Sequence, residues 1–157
     1  KNYEQDGVRV FIGDQSDPSF LRKITKQDKN IDILIDDGSH LPRHQIISFE
    51  EIFKEMNPGG VYICEDVHGI HNEFLDYVHG LNKRICGMES TEDKSLIPAN
   101  DLQKWVKAIH VYPYCIVIEK SDAKTDHLLC TRKGTEWQPY SGKSKESIGS
   151  NIELIVK

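Results

Sequence analysis

Ile31-Asp32-Ile33-Leu34-Ile35-Asp36-Asp37-Gly38-Ser39-His40 runs from an apolar stretch straight into two carboxylates, a glycine, a hydroxyl and an imidazole. A second segment, Gly59-Gly60-Val61-Tyr62-Ile63-Cys64-Glu65-Asp66-Val67-His68, repeats the design. Carboxylates gathered at one place repel one another unless a cation compensates them. Hard oxygen donors favour Mg²⁺ or a similar divalent ion. An imidazole beside such a site is suited to accepting a proton near neutral pH. The two segments together predict a metal-assisted site, with acids that only cap helices or solvate loops as the alternative.

These side chains need a scaffold that brings them to one edge. Ile31 to Ile35 is apolar at nearly every position, the pattern of an interior parallel strand covered on both faces. Ile46, Phe49, Phe53 and Met56 form one helical stripe within Pro42 to Met56, ended by Asn57-Pro58-Gly59-Gly60. Val61 to Cys64 is the next strand, so the whole is a βαβ unit with parallel pairing. Ligands of open α/β sheets bind outside the carboxyl ends of the strands, where Asp36, Asp37, Glu65 and Asp66 fall. Adjacent strand residues point to opposite faces, so at least one acid of each pair should reach the site. Pro42 places His40 at or before the first helical turn, where it either acts as a base or merely caps the helix. His44 reads as a surface or supporting residue, and His68 and His71 as loop residues that could line a pocket.

Elsewhere, Val8 to Ile12 reads as a strand and Gly13-Asp14-Gln15-Ser16-Asp17 as the loop after it. Asp17-Pro18 has the form of a helix start for residues up to about Ile24. Phe74, Tyr77, Val78 and Leu81 mark another helix, and Glu89 to Asn100 a polar loop. Ala108 to Tyr112 and Cys115 to Glu119 are strands joined only by Pro113-Tyr114, which permits an antiparallel hairpin. Trp105 is a core candidate and Trp137 lies in the tail. Residues 121–157 form a polar, turn-rich extension with a weak apolar run at Ile152 to Val156. The fold class is α/β: a mostly parallel sheet with an antiparallel hairpin at one end.

The totals agree with one globular domain. The 157 residues are 38% hydrophobic and 29% charged, with a net charge of −5. The 20 Lys and Arg are scattered, so no basic stripe marks a nucleic-acid face. No apolar run approaches the ~20 residues a membrane span requires, and no leader pattern is present. Cys64, Cys86, Cys115 and Cys130 include no CxxC pair, which favours reduced thiols and a cytoplasmic setting over a zinc site or disulfide framework.

Asp36-Asp37-Gly38-Ser39-His40, His44-Gln45, Ser48-Phe49, Pro58-Gly59-Gly60-Val61-Tyr62 and Glu65-Asp66 resemble the macrocin and mycinamicin sugar O-methyltransferases. These are Mg²⁺-dependent class I S-adenosylmethionine-dependent methyltransferases with a Rossmann-like sheet. The Gly13 to Asp17 loop and the late hairpin match too, so the resemblance covers roughly residues 8 to 120. It implies Asp37, Glu65 and Asp66 as metal ligands and His40 as the general base for a hydroxyl of a sugar or glycosylated small molecule. It places Asp14, Gln15 and Ser16 near the cofactor's adenine, and Asp36 beside the cofactor.

The chain departs from the family's pattern at its start. Only Lys1 to Gly7 precedes the strand resembling the family's third, with no glycine-rich cofactor loop. Residues 1–120 are therefore expected to be the C-terminal two-thirds of a catalytic domain, with the Ile31 strand lacking its inner neighbour. These 157 residues alone are expected to bind S-adenosylmethionine weakly or not at all, and an uncovered sheet edge leaves room for a homo-oligomer. Two other functions stay open at this point: a silent interaction module with a degenerate methyltransferase fold, and a Mg²⁺-dependent hydrolase. No P-loop or GxSxG motif supports the latter.

Overall fold

Asp17 opens the first helix, α1 (Pro18–Gln27), by accepting the Ser19 backbone N–H at 2.8 Å, while Pro18 occupies a first-turn position that needs no donor. A computed structural model describes residues 6–87 and 99–123, with the backbone of 97–98, 127–128, 131–132 and 136–137. After α1 come β1 (Ile33–Asp36), α2 (Pro42–Ile52) with a 3₁₀ turn at Phe53–Glu55, β2 (Val61–Cys64) and α3 (Glu73–Ile85). Then follow β3 (Ile97–Pro98), β4 (Val106–Tyr112), β5 (Cys115–Lys120) and three short pieces, β6 (His127–Leu128), β7 (Thr131–Arg132) and β8 (Glu136–Trp137).

The main sheet has the order β1-β2-β5-β4. β1 and β2 pair in parallel, Asp36 opposite Cys64, across the α2 connection. β5 runs antiparallel to both β2 and β4, so the sheet is parallel at one end and antiparallel at the other. Because β5 starts beside the end of β2, the β4–β5 turn at Pro113-Tyr114 lies at the carboxyl edge of the parallel strands. Asn57-Pro58-Gly59-Gly60 ends the helical segment as expected, and Gly59 adopts φ +75°, a conformation open to glycine at little cost.

Alternation decides which face of the sheet is dry. Asp36, Tyr62, Cys64, Ile116 and Ile118 are buried, packed with Leu21, Phe49, Phe53, Phe74, Val78 and Leu81 of the helical layer. Each fully buried large apolar side chain contributes about 1.5–3 kcal/mol. Ile33 and Ile35 face the other way and are 64% and 56% exposed. β1 is thus covered on one face and not on both, because the described helices pack on a single side. Among the described residues it is also an edge strand.

Residues 8–12 join no sheet among the described residues beyond a single bridge at Val8. β-branched content favours extended backbone only where a neighbouring strand completes the ladder. Here Ile12 is 91% exposed and Arg9 is drawn to Asp28 at 2.7 Å. Trp105 is also more exposed than expected, its ring lying 5.3 Å from the Lys120 ammonium. Lys120 itself is buried. Its Nζ donates to the carbonyls of Phe53 (3.2 Å), Lys54 (2.7 Å) and Met56 (2.6 Å), so that β5 caps the end of the α2 segment. Burial holds its pKa below the ordinary lysine value. The Ile152 to Val156 run, Cys130, the Trp137 ring and most of the Glu89 to Asn100 loop lie outside the described residues. No described helix is long and apolar enough to cross a membrane.

Candidate metal centre

Both acidic strand ends reach the carboxyl edge of the sheet, where the backbone leaves strand geometry. Asp37, His40 and Asp66 each bring a ligand atom within 4.8 Å of the others. His40 Nε2 stands 3.7 Å from Asp66 Oδ2. His40 and Asp66 adopt φ +57° and +52°, a left-handed region that costs a non-glycine residue of order 1–3 kcal/mol. That conformation turns both side chains out of the alternation that would otherwise part them. Two exposed carboxylates and an imidazole are a donor set suited to a hard divalent cation that keeps several waters. Glu65 follows β2 directly and is exposed, but its carboxylate is not in this group.

Asp36 goes the opposite way, into the protein. Its Oδ1 accepts from Gln15 Nε2 at 2.7 Å and its Oδ2 from the Tyr62 hydroxyl at 2.9 Å. Burial, and then the Asp36 carboxylate, hold the Tyr62 phenol protonated by raising its pKa well above the ordinary value. Gln15 Nε2 also donates to Ser48 Oγ at 2.9 Å, and Gln15 Oε1 accepts from the Ser39 backbone N–H at 2.9 Å. Asp36 is therefore the foot of a network that holds the Gly38–His40 turn, with its carboxylate facing inward.

Gly38 makes that network sterically possible, since a Cβ there would collide with the Gln15 amide oxygen. Gly38→Ala is expected to cost about 1–3 kcal/mol. The loss should shrink when Gln15→Ala is introduced as well, in a double-mutant cycle read by urea unfolding. Additive losses would mean that Gln15 is not the obstacle.

The other expected residues are placed as follows. Asp14 and Ser16 bond to each other: Asp14 Oδ1 accepts from the Ser16 N–H (2.8 Å) and hydroxyl (2.7 Å), which together lower the Asp14 pKa. Gln15 points inward as described. A cavity of about 470 Å³ opens beside these groups, walled in part by Phe11, Gln15, Phe20, Leu34 and Asp37. His44 Nδ1 lies 2.8 Å from Ser39 Oγ, a supporting position. His68 Nδ1 lies 2.6 Å from the Asp66 carbonyl, fixing the proton on that nitrogen.

Gln45 and Ser48, which belong to the family pattern but were given no role by the sequence, are both buried on α2. Gln45 Nε2 donates to the Glu65 carbonyl at 3.3 Å, holding the peptide that leads into Asp66. Their spacing with Phe49 and Ile52, at three- and four-residue steps, is the signal that would have found them.

No protein-family model matches the chain. Over 129 residues, 75% of its length, it is 32% identical to the 8-demethyl-8-alpha-L-rhamnosyl tetracenomycin-C 2'-O-methyltransferase of Streptomyces olivaceus, covering 34% of that protein. Over 60 residues, 38% of its length, it is 43% identical to the mycinamicin VI 2''-O-methyltransferase of Micromonospora griseorubida, covering 15% of it. Among solved structures, the MycE methyltransferase of the mycinamycin pathway in complex with Mg and SAH matches with a TM-score of 0.63 and 27% identity, over 75% of this chain and 34% of that one. The same enzyme with Mg, SAH and mycinamycin VI matches with a TM-score of 0.61 and 26% identity, over 75% of this chain and 33% of that one. The chain spans about a third of the length of the first relative and of the MycE structures. Over the matched stretch it resembles these sugar O-methyltransferases and has their Rossmann-like methyltransferase fold.

Proposed function

We propose that this chain, similar in sequence and fold to sugar O-methyltransferases, supplies the acceptor-activating part of an S-adenosylmethionine- and Mg²⁺-dependent O-methyltransferase. The observation that carries this reading is the convergence of Asp37, His40 and Asp66 within 4.8 Å at the carboxyl edge of the sheet. Asp37 and Asp66 would hold the metal, with Glu65, next to Asp66, as a further ligand. When bound, Mg²⁺ would lower the pKa of an acceptor hydroxyl and orient it. His40 would take the proton from that hydroxyl and leave its oxygen ready to accept a methyl group. Asp36, Gln15 and Tyr62 act from below, by holding the turn on which Asp37 and His40 sit.

The acceptor we infer is a glycoside, because the relatives' names specify rhamnosyl and olivosyl compounds. The cavity beside Gln15, Asp36 and Asp37 is where S-adenosylmethionine would lie against this chain, with residues 1–120 as part of the catalytic domain. A cytoplasmic setting is supported by the free Cys64, Cys86 and Cys115. The β1 edge, unpaired among the described residues, leaves room for self-association. The test is calorimetry with Mg²⁺ on the full-length protein. Asp66→Asn and Asp37→Asn are each expected to weaken binding more than about tenfold, and chelation to abolish methyl transfer. Mg²⁺ affinity unchanged in both variants would exclude the site.

A further inference from the structure

Tyr114 shares an unusual property with the two strained members of the metal centre. Among the described residues, the non-glycine positions with positive φ are His40, Asp66 and Tyr114, the last at +61°. Tyr114 is the second residue of the two-residue β4–β5 turn, a place where Gly or Asn would sit without strain. Tyr114 is 68% exposed, so no burial of apolar surface explains a tyrosine there. Such an outlier, held by its surroundings, points to use.

Its surroundings tie it to the centre. The Val67 N–H, one residue after Asp66, donates to the Tyr114 carbonyl at 3.0 Å. The Tyr114 ring meets the His68 ring edge-on at 6.4 Å, and His68 is itself bonded to the Asp66 carbonyl. Leu41, next to His40, and Ile70, in the loop beyond Asp66, are exposed as well. The edge of the metal centre is thus flanked by an aromatic face and aliphatic groups with no partner-seeking charge.

Resting on the O-methyltransferase reading, we infer that Tyr114 is a specificity-determining residue against which the acceptor sugar lies. One face of a pyranose ring presents C–H groups, and the electron-rich face of an aromatic ring attracts them. A hydroxyl presented to Asp37, His40 and Asp66 leaves the remainder of a glycoside to extend over the neighbouring surface, which this turn occupies. His68 buttresses the ring edge-on, and the bond from Val67 fixes its height.

The probe is methyl α-L-rhamnopyranoside, followed by saturation transfer from the full-length protein to the sugar's ring protons in the presence of Mg²⁺. Tyr114→Gly removes the ring and relieves the left-handed strain, so its Tm should not fall. It is expected to weaken sugar binding about tenfold, the scale of one aromatic face contact, while Tyr114→Phe binds as the parent does. Equal binding by the parent and Tyr114→Gly overturns the inference, and so does absence of transfer to the parent. Neither result touches Mg²⁺ uptake by Asp37 and Asp66, so failure here is distinguishable from failure of the methyltransferase reading.

Discussion

Replacing His40 with Ala should leave a full-length protein that takes up Mg²⁺ almost as before yet transfers methyl groups about 10²–10⁴ times more slowly, the usual contribution of a positioned general base. The structure gives His40 two possible employments. Its Nε2 lies 3.7 Å from Asp66 Oδ2, close enough to count among the metal-ligating atoms. Its Nδ1 is buried without a hydrogen-bond partner among the described residues. A ligand imidazole almost always donates its other ring N–H to a carboxylate, carbonyl or water. A base that accepts a proton at Nε2 likewise carries its hydrogen on Nδ1, so the Nδ1 that lacks a partner among the described residues does not choose between the two roles. Measuring Mg²⁺ affinity and turnover on the same variant separates the roles. Loss of both in proportion would make His40 a ligand, and loss of turnover alone would make it the base.

The second large effect concerns stability. Lys120→Met keeps most of the buried stem and removes the ammonium that three carbonyls share. Leaving buried acceptors unpaired costs about 1–3 kcal/mol per group, so three carbonyls together set a range of about 3–9 kcal/mol. Because the three carbonyls lie in one short turn and can partly relax, the lower total of about 3–5 kcal/mol is expected. For a domain of this size, that corresponds to a fall in Tm of roughly 10 °C. The Phe53 and Trp105 rings near Nζ add a smaller loss. A change in Tm below about 2 °C would show that water serves those carbonyls equally well.

Lys120 also marks a limit of sequence reading. It follows an apolar strand as an ordinary terminal lysine, and nothing local signals that alternation turns it inward. Elements resting on local rules were legible: Asp17-Pro18 starts α1, Pro42 opens α2, and a two-residue link makes the β4–β5 hairpin. Features set by distant partners were not. The exposure of Ile33 and Ile35 depends on which face receives helices, and the Val8 to Ile12 run on whether a strand lies alongside. At the site, the acids and His40 were legible as residue types. The inward turn of Asp36 was not, because it depends on Gln15, Ser48 and Tyr62 arriving from three other segments.

Gln15 joins two loops that the sequence keeps well apart. Its amide grips Asp36 and Ser48 on one side and the Ser39 backbone on the other, through bonds of 2.7, 2.9 and 2.9 Å. Three short bonds from one side chain make the Gly13–Asp17 loop and the Gly38–His40 turn mechanically a single body. A molecule that displaced the first loop would drag the imidazole with it. The pace at which His40 is brought into register would then be set by a residue that never meets the reacting atoms.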